Sequence, residues 1–102
     1  MEESLRDMLK HGRKFERMRT TEPGIFIRKI PQSKNEPTYL AVEINPVDKS
    51  GNPINKIGVI IRNRLELDAI RTILSQKKID EVFQAIERVS QHQLENEKKI
   101  SE

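Results

Sequence analysis

Two of the four aromatic residues in the chain, Phe26 and Tyr39, fall in short alternating runs that also carry Arg28 and Arg62. Rings that stack on bases, beside guanidiniums that meet phosphates, are the equipment of a platform for single-stranded nucleic acid. Each stacked base there is worth roughly 1–3 kcal/mol whatever its identity. The runs are GIFIRKI (24–30), TYLAVEIN (38–45) and KIGVIIR (56–62). Strand side chains point alternately to opposite faces, so Ile25, Ile27, Leu40, Val42, Ile44, Ile57, Val59 and Ile61 share one aliphatic face. The other face carries Phe26, Arg28, Tyr39, Ala41, Glu43, Gly58, Ile60 and Arg62. If the aliphatic side packs on helices, Phe26, Arg28, Tyr39, Ile60 and Arg62 look outward. Lys29 and Arg64 can then follow a phosphate backbone, and Arg62 can lie against Tyr39 as a cation–π neighbour.

Other chemistries find little footing. His11 and His92 belong to different predicted helices, and no HxxxH, CxxC or DxD pattern offers a transition-metal site its usual ligands. No glycine-rich loop opens a helix, so the phosphate-loop and dinucleotide fingerprints are missing. No serine has a matched histidine and acid that spacing reveals. The expectation is a binding protein, not an enzyme, with no catalytic residues, no metal and no cofactor.

The elements that must hold these residues follow from local pattern. Ser4 with Asp7 reads as a helix start, and Leu5, Met8, Leu9, Phe15 and Met18 recur at helical spacing, with Gly12 a weak point inside the run. Arg6, Lys10, Arg13, Lys14 and Arg17 crowd the rest of that helix, as a solvated face or as phosphate contacts. TTEPG (20–24) turns the chain into the first strand, and PQSKNEP (31–37) and PVDKSGNP (46–53) are loops. Setting Ile44 opposite Ile57 pairs Val42 with Val59 and Leu40 with Ile61, and places Tyr39 across from Arg62. Asn63 with Glu66 predicts a capped helix whose stripe is Leu67, Ile70, Ile73 and Leu74.

After a break at 75–78, a second helix capped by Asp80 carries Ile79, Val82, Ile86, Val89, Gln93, Asn96 and Ile100 at three-four spacing. Either Val82, Phe83, Ile86 and Val89 pack on the sheet and the polar end frays, or the seam forms a coiled-coil dimer. A further alternative concerns Phe26. If helix 1 covers its face, the ring is core, and Phe15 or Met18 lines the wall of a cleft.

Composition narrows the class. A chain of 102 residues forms one domain of ordinary size, here 1–94 with a charged end at 95–102. Apolar residues are 34% of it and aromatics 4%, with thirteen isoleucines against seven leucines, so the core is small and aliphatic. Charged residues at 34% and no cysteine fit a thermophile, without disulfides or thiolate sites. No apolar run reaches the ~18 residues of a membrane span, and MEESLRDMLK is unlike a secretory signal, which predicts a soluble, cytoplasmic protein. Net charge is +3, and residues 24–64 hold seven basic against three acidic groups. A polyanion is drawn to the sheet segment.

Two resemblances rest on these residues. EINPVDKSGNP, KIGVIIRN and LELDAIRTIL resemble, in layout, the transcriptional positive coactivator (Whirly-like) family of single-strand binders, over about half the chain. The chain lacks the tryptophan often found in that family's helix, and the leading helix is foreign to it. The whole plan is similar to the archaeal single-stranded DNA-binding ThermoDBP and ThermoDBP-related proteins. The supporting stretches are LRDMLKHGRKFERM, the three strand runs and the seam from Ile79. That resemblance implies a strand held in a cleft between sheet and helices, and C-terminal helices that extend to a dimer zipper. It carries over to Phe26, Arg28, Tyr39, Ile60, Arg62 and Arg64, and to Arg13, Lys14 and Arg17.

The expected fold is therefore α+β: an N-terminal helix, an antiparallel sheet of three to four strands, and two C-terminal helices packed on the sheet. The expected activity is sequence-tolerant binding of single-stranded DNA or RNA by a homodimer or higher homo-oligomer. The alternative is a structural or regulatory domain whose sheet face is a dimer or partner interface.

Overall fold

A computed structural model describes residues 1–101, with side chains through residue 96. The elements are α1 (Glu2–His11), β1 (Arg17–Arg19), β2 (Ile25–Ile30), β3 (Tyr39–Ile44), β4 (Val59–Ile61), α2 (Arg64–Leu74) and α3 (Lys77–Ser101). The four strands make one antiparallel sheet in the order β1-β2-β3-β4, so the α+β expectation holds. The chain forms two compact units, Met1–Leu67 and Asp68–Glu102, whose boundary falls inside α2. Among the described residues no helix is long and apolar enough to cross a membrane.

The leading helix is shorter than its apolar spacing predicts. Gly12 ends it, donating its N–H to the Met8 carbonyl at 2.8 Å. A Cβ at Gly12 would lie 2.5 Å from that oxygen, which ties this close approach to glycine. Residues 13–16 then make a turn, and Arg17–Arg19 adds a fourth strand along β2. Phe15 and Met18 sit three apart as helical neighbours do, but pairing with β2 overrides that local signal. Met18 lies opposite Ile27 in the sheet.

The hairpin between β3 and β4 keeps the predicted faces but slides by two residues. Ile44 pairs with Val59 and Val42 with Ile61, and Glu43 pairs with Ile60. Tyr39 therefore does not face Arg62, and their expected contact does not form. Tyr39 pairs instead with Ile30 of β2. The slide has a local cause, because Gly58 sits where a Cβ would run into the Ile44 carbonyl. Its N–H turns inward to the Glu43 carboxylate at 2.7 Å. Ile57, expected in the strand, is an exposed loop residue.

Burial inverts the expected use of the two faces. Buried residues include Phe26, Ala41 and Glu43 on one side and Ile27, Lys29 and Ile61 on the other. The aliphatic side is covered at its Lys29 end, where Met8 of α1 is buried and Lys29 Nζ donates to the Gly12 carbonyl at 2.8 Å. Ile25, Val42, Ile44 and Val59 on the same side stay exposed. The ring-bearing side is closed by the residues between β3 and β4, which fold back across it.

Asn63 caps α2 as predicted, and the Glu66 side chain reaches back to the residue before the cap. Glu66 N–H donates to Asn63 Oδ1 at 2.8 Å, and Arg62 N–H donates to Glu66 Oε1 at 3.1 Å. Leu67 and Ile70 are half-buried, whereas Ile73 and Leu74 are exposed. α3 starts at Lys77, so Asp80 lies within its first turn and does not cap it. Val82, Phe83, Ile86 and Val89 are exposed, which corrects their reading as core. The side chain of Ile100, last in the heptad seam, lies outside the described residues, as does Glu102.

Candidate functional site

The cationic, aromatic face exists, but its anion is internal. Register places Arg17, Arg19, Phe26, Arg28, Glu43 and Ile60 on one side of the sheet. Glu43 is 0% exposed and its carboxylate accepts five hydrogen bonds. Arg17 approaches bidentately, Nε to Oε1 and Nη2 to Oε2, each at 2.9 Å. Arg28 Nε reaches Oε1 at 2.7 Å, and Asn45 Nδ2 and the Gly58 N–H supply Oε2 at 3.1 and 2.7 Å. Such charge-assisted, forked bonds are the strong ones.

The same guanidiniums bind the loop that covers them. Arg17 Nη2 and Arg28 Nη2 both donate to the Lys56 carbonyl, at 2.7 and 3.0 Å. Arg19 Nη1 donates to the Gly51 carbonyl at 2.6 Å. Asn45, also fully buried, adds a bond to the Asn55 carbonyl at 2.7 Å. Phe26 is 2% exposed, with the Arg17 and Arg19 guanidiniums 5.3 and 5.8 Å from its ring centre. The ring thus stacks on the chain's own arginines and has no surface for a base. Phe26, Arg28 and Arg17 are removed from any open interface, and the covering element is the 46–58 loop, not α1.

This cluster sets a pH dependence. Burial alone pushes the Glu43 carboxyl up, but Arg17, Arg28, the Gly58 N–H and Asn45 outweigh it and hold it at about 2. A carboxylate with a lowered pKa stabilises the fold above its unfolded-state value and stops doing so as pH falls through the folded value. Unfolding free energy should therefore be flat in this contribution above about pH 5, and should fall by on the order of 3 kcal/mol by about pH 2. Urea melts across that range check the sign, since Glu43→Gln should flatten the slope.

The remaining expected residues are placed differently. Ile60 and Tyr39 are half-buried, and Arg62 and Arg64 are exposed at the start of α2. Lys29 is 8% exposed, on the aliphatic side of β2. Arg13 and Lys14 are exposed on the turn after α1, together with a residue the strand pattern overlooked. That residue is Phe15, 58% exposed and held at φ 61°.

Phe15 is the one non-glycine residue of positive φ among the described residues. A left-handed backbone costs an ordinary residue about 1–2 kcal/mol, so surrounding bonds must impose it. They do. The Phe15 N–H donates to the Lys29 carbonyl at 2.9 Å, and its carbonyl accepts Arg28 Nη1 at 2.6 Å. Lys29 N–H donates to the Glu16 carbonyl at 3.0 Å, and Glu16 Oε1 lies 3.5 Å from Arg13 Nε. The turn is fixed to the sheet while its ring faces solvent, directly after exposed Arg13 and Lys14. In the sequence Phe15 stood out by helical spacing to Met18 and as a candidate cleft wall, and that spacing pointed to a helix.

Beside this turn lies an open pocket lined by Gly12, Lys14, Lys29, Gln32, Ser33 and Thr38. Tyr39 follows Thr38 at the start of β3. Comparison with protein-family models, with curated proteins and with solved structures yields no match to this chain.

Proposed function

We propose that this protein binds single-stranded nucleic acid, DNA or RNA, without strong sequence preference, through the Arg13–Phe15 turn and the neighbouring pocket. The observation that carries the reading is Phe15: a solvent-facing ring, held in a strained turn that directly follows exposed Arg13 and Lys14. A stacking platform needs a ring whose position is fixed and cations that track the backbone. Strain retained at one exposed residue points to a role for that conformation. Arg62 and Arg64 extend the cationic surface at the start of α2. No covalent chemistry is involved.

Gel shifts with single-stranded DNA, duplex DNA and RNA of one length test this. Single strands should bind best. With about three phosphates neutralised, affinity should drop roughly tenfold to twentyfold between 50 and 200 mM salt. Equal binding of duplex, or none of any probe at low salt, counts against the proposal.

A second copy completes the arrangement. The exposed Val82, Ile86 and Val89 follow a seam that a parallel or antiparallel helix of the same chain can cover, doubling the binding turns. Sedimentation should give twice the chain mass, and Ile86→Asp should give the monomer mass. The protein-interaction reading is favoured by one feature, the exposed Ile25, Val42, Ile44 and Val59 on the aliphatic side. It predicts a stable protein complex and no oligonucleotide affinity.

A further inference from the structure

Lys29 is a buried residue whose ammonium has no counter-ion among the described residues. It is 8% exposed, and its Nζ makes one hydrogen bond, to the Gly12 carbonyl at 2.8 Å. An ammonium has three donors, so two remain for another acceptor. Among the described residues no carboxylate is ion-paired with it. The nearby guanidiniums of Arg17 and Arg28 have Glu43, and Arg13 has Glu16. Burying a charge is costly unless it is paired, and the chain leaves this one unpaired at the wall of an open pocket.

The other walls fit an oxyanion. Lys14 brings a second ammonium, Ser33 and Thr38 bring hydroxyls, and Gln32 brings an amide. The pocket volume, about 520 Å³, falls within the ~300–1,000 Å³ of small-ligand sites. The loop that supplies Ser33 is braced by its own N–H, which donates to the Glu36 carbonyl at 2.9 Å. The α1 end is braced by the Gly12 N–H on the Met8 carbonyl.

We infer that this pocket is a phosphate site, seating one tetrahedral phosphate group against Lys29 and Lys14 with Ser33 and Thr38 as hydroxyl donors. The inference rests on the single-strand reading only for the source of that phosphate, an internal phosphodiester or a terminal phosphomonoester. Lys14 precedes Phe15, so a phosphate seated here places the adjoining base within reach of the ring.

Amide chemical shifts of the full chain, titrated with inorganic phosphate at fixed ionic strength, test the site itself. Saturable shifts at Gly12, Lys14 and Ser33 are expected. Lys29→Met keeps the apolar stem and should weaken phosphate at least tenfold, and the surface variant Lys14→Met should weaken it about threefold. If Lys29→Met fails to fold, Thr38→Val with Lys14→Met takes its place, with the same tenfold expectation. No saturable shift in the wild type, or equal affinity in these variants, overturns the site.

Oligothymidylates with a 5′-phosphate or a 5′-hydroxyl then separate the sources. A gain of tenfold or more with the phosphate supports a terminal group, and equal affinity that falls in Lys29→Met supports an internal one. Inorganic phosphate binding without oligonucleotide binding leaves the pocket standing and removes the strand. Oligonucleotide binding indifferent to Lys29→Met does the reverse.

Discussion

Glu43→Gln should lower the unfolding free energy by roughly 3–5 kcal/mol, the cost of leaving buried charges without their partner. Two guanidiniums converge on that carboxylate, and the amide that replaces it accepts at one position and repels donors at the other. The loss should spread along specific bonds. Arg17 and Arg28 also hold the Lys56 carbonyl, so the 46–58 loop should gain faster amide exchange at Gly58 and Asn55. Arg28 holds the Phe15 carbonyl as well, so the turn should loosen and nucleic-acid affinity should fall with stability. Urea unfolding with hydrogen exchange measures both. A variant as stable as wild type would mean the buried cluster is not what closes that face.

The second large effect separates binding from stability. Phe15→Gly removes the ring and relieves the left-handed backbone, an arrangement that costs a side-chain-bearing residue about 1–2 kcal/mol. The melting temperature should hold or rise, while affinity for a single strand should fall by 1–3 kcal/mol, roughly fivefold to 150-fold. Anisotropy titrations beside thermal melts read the two quantities. A residue held in strain for function trades stability for activity, so opposite signs are what a binding role for Phe15 predicts. A loss of stability with unchanged affinity would make Phe15 a structural residue.

Much of the architecture was legible from side-chain alternation and capping. Alternation placed β2, β3 and β4, and sorted their residues to the correct faces, because a strand's period of two leaves little choice. Asn63 marked the start of α2 because an N-cap is local chemistry. Strand β1 was not legible. Arg17–Arg19 has no apolar alternation, and only the partner strand makes it a strand. Which face would be open was likewise beyond local pattern, since it depends on a loop returning across the sheet.

One signal did lie in the sequence. Glu43 falls on the same face as Phe26 and Arg28, and a carboxylate amid guanidiniums is as ready an acceptor as a phosphate. Phe26 does meet guanidiniums, but those of Arg17 and Arg19 and not Arg62, and the anion that satisfies Arg28 is part of the chain. Accessible to an external polyanion are Arg13 and Lys14, just before Phe15, with Lys29 in the adjacent pocket and Arg62 and Arg64 at the start of α2.

The backbone amides of the full chain report where a bound strand sits. With a short oligothymidylate, shifts should concentrate at Arg13 to Glu16, Ser33 and Thr38, while Phe26 and Glu43 stay unmoved beneath their loop. Shifts gathered instead on Ile25, Val42, Ile44 and Val59, or no saturable shift anywhere, would contradict the account.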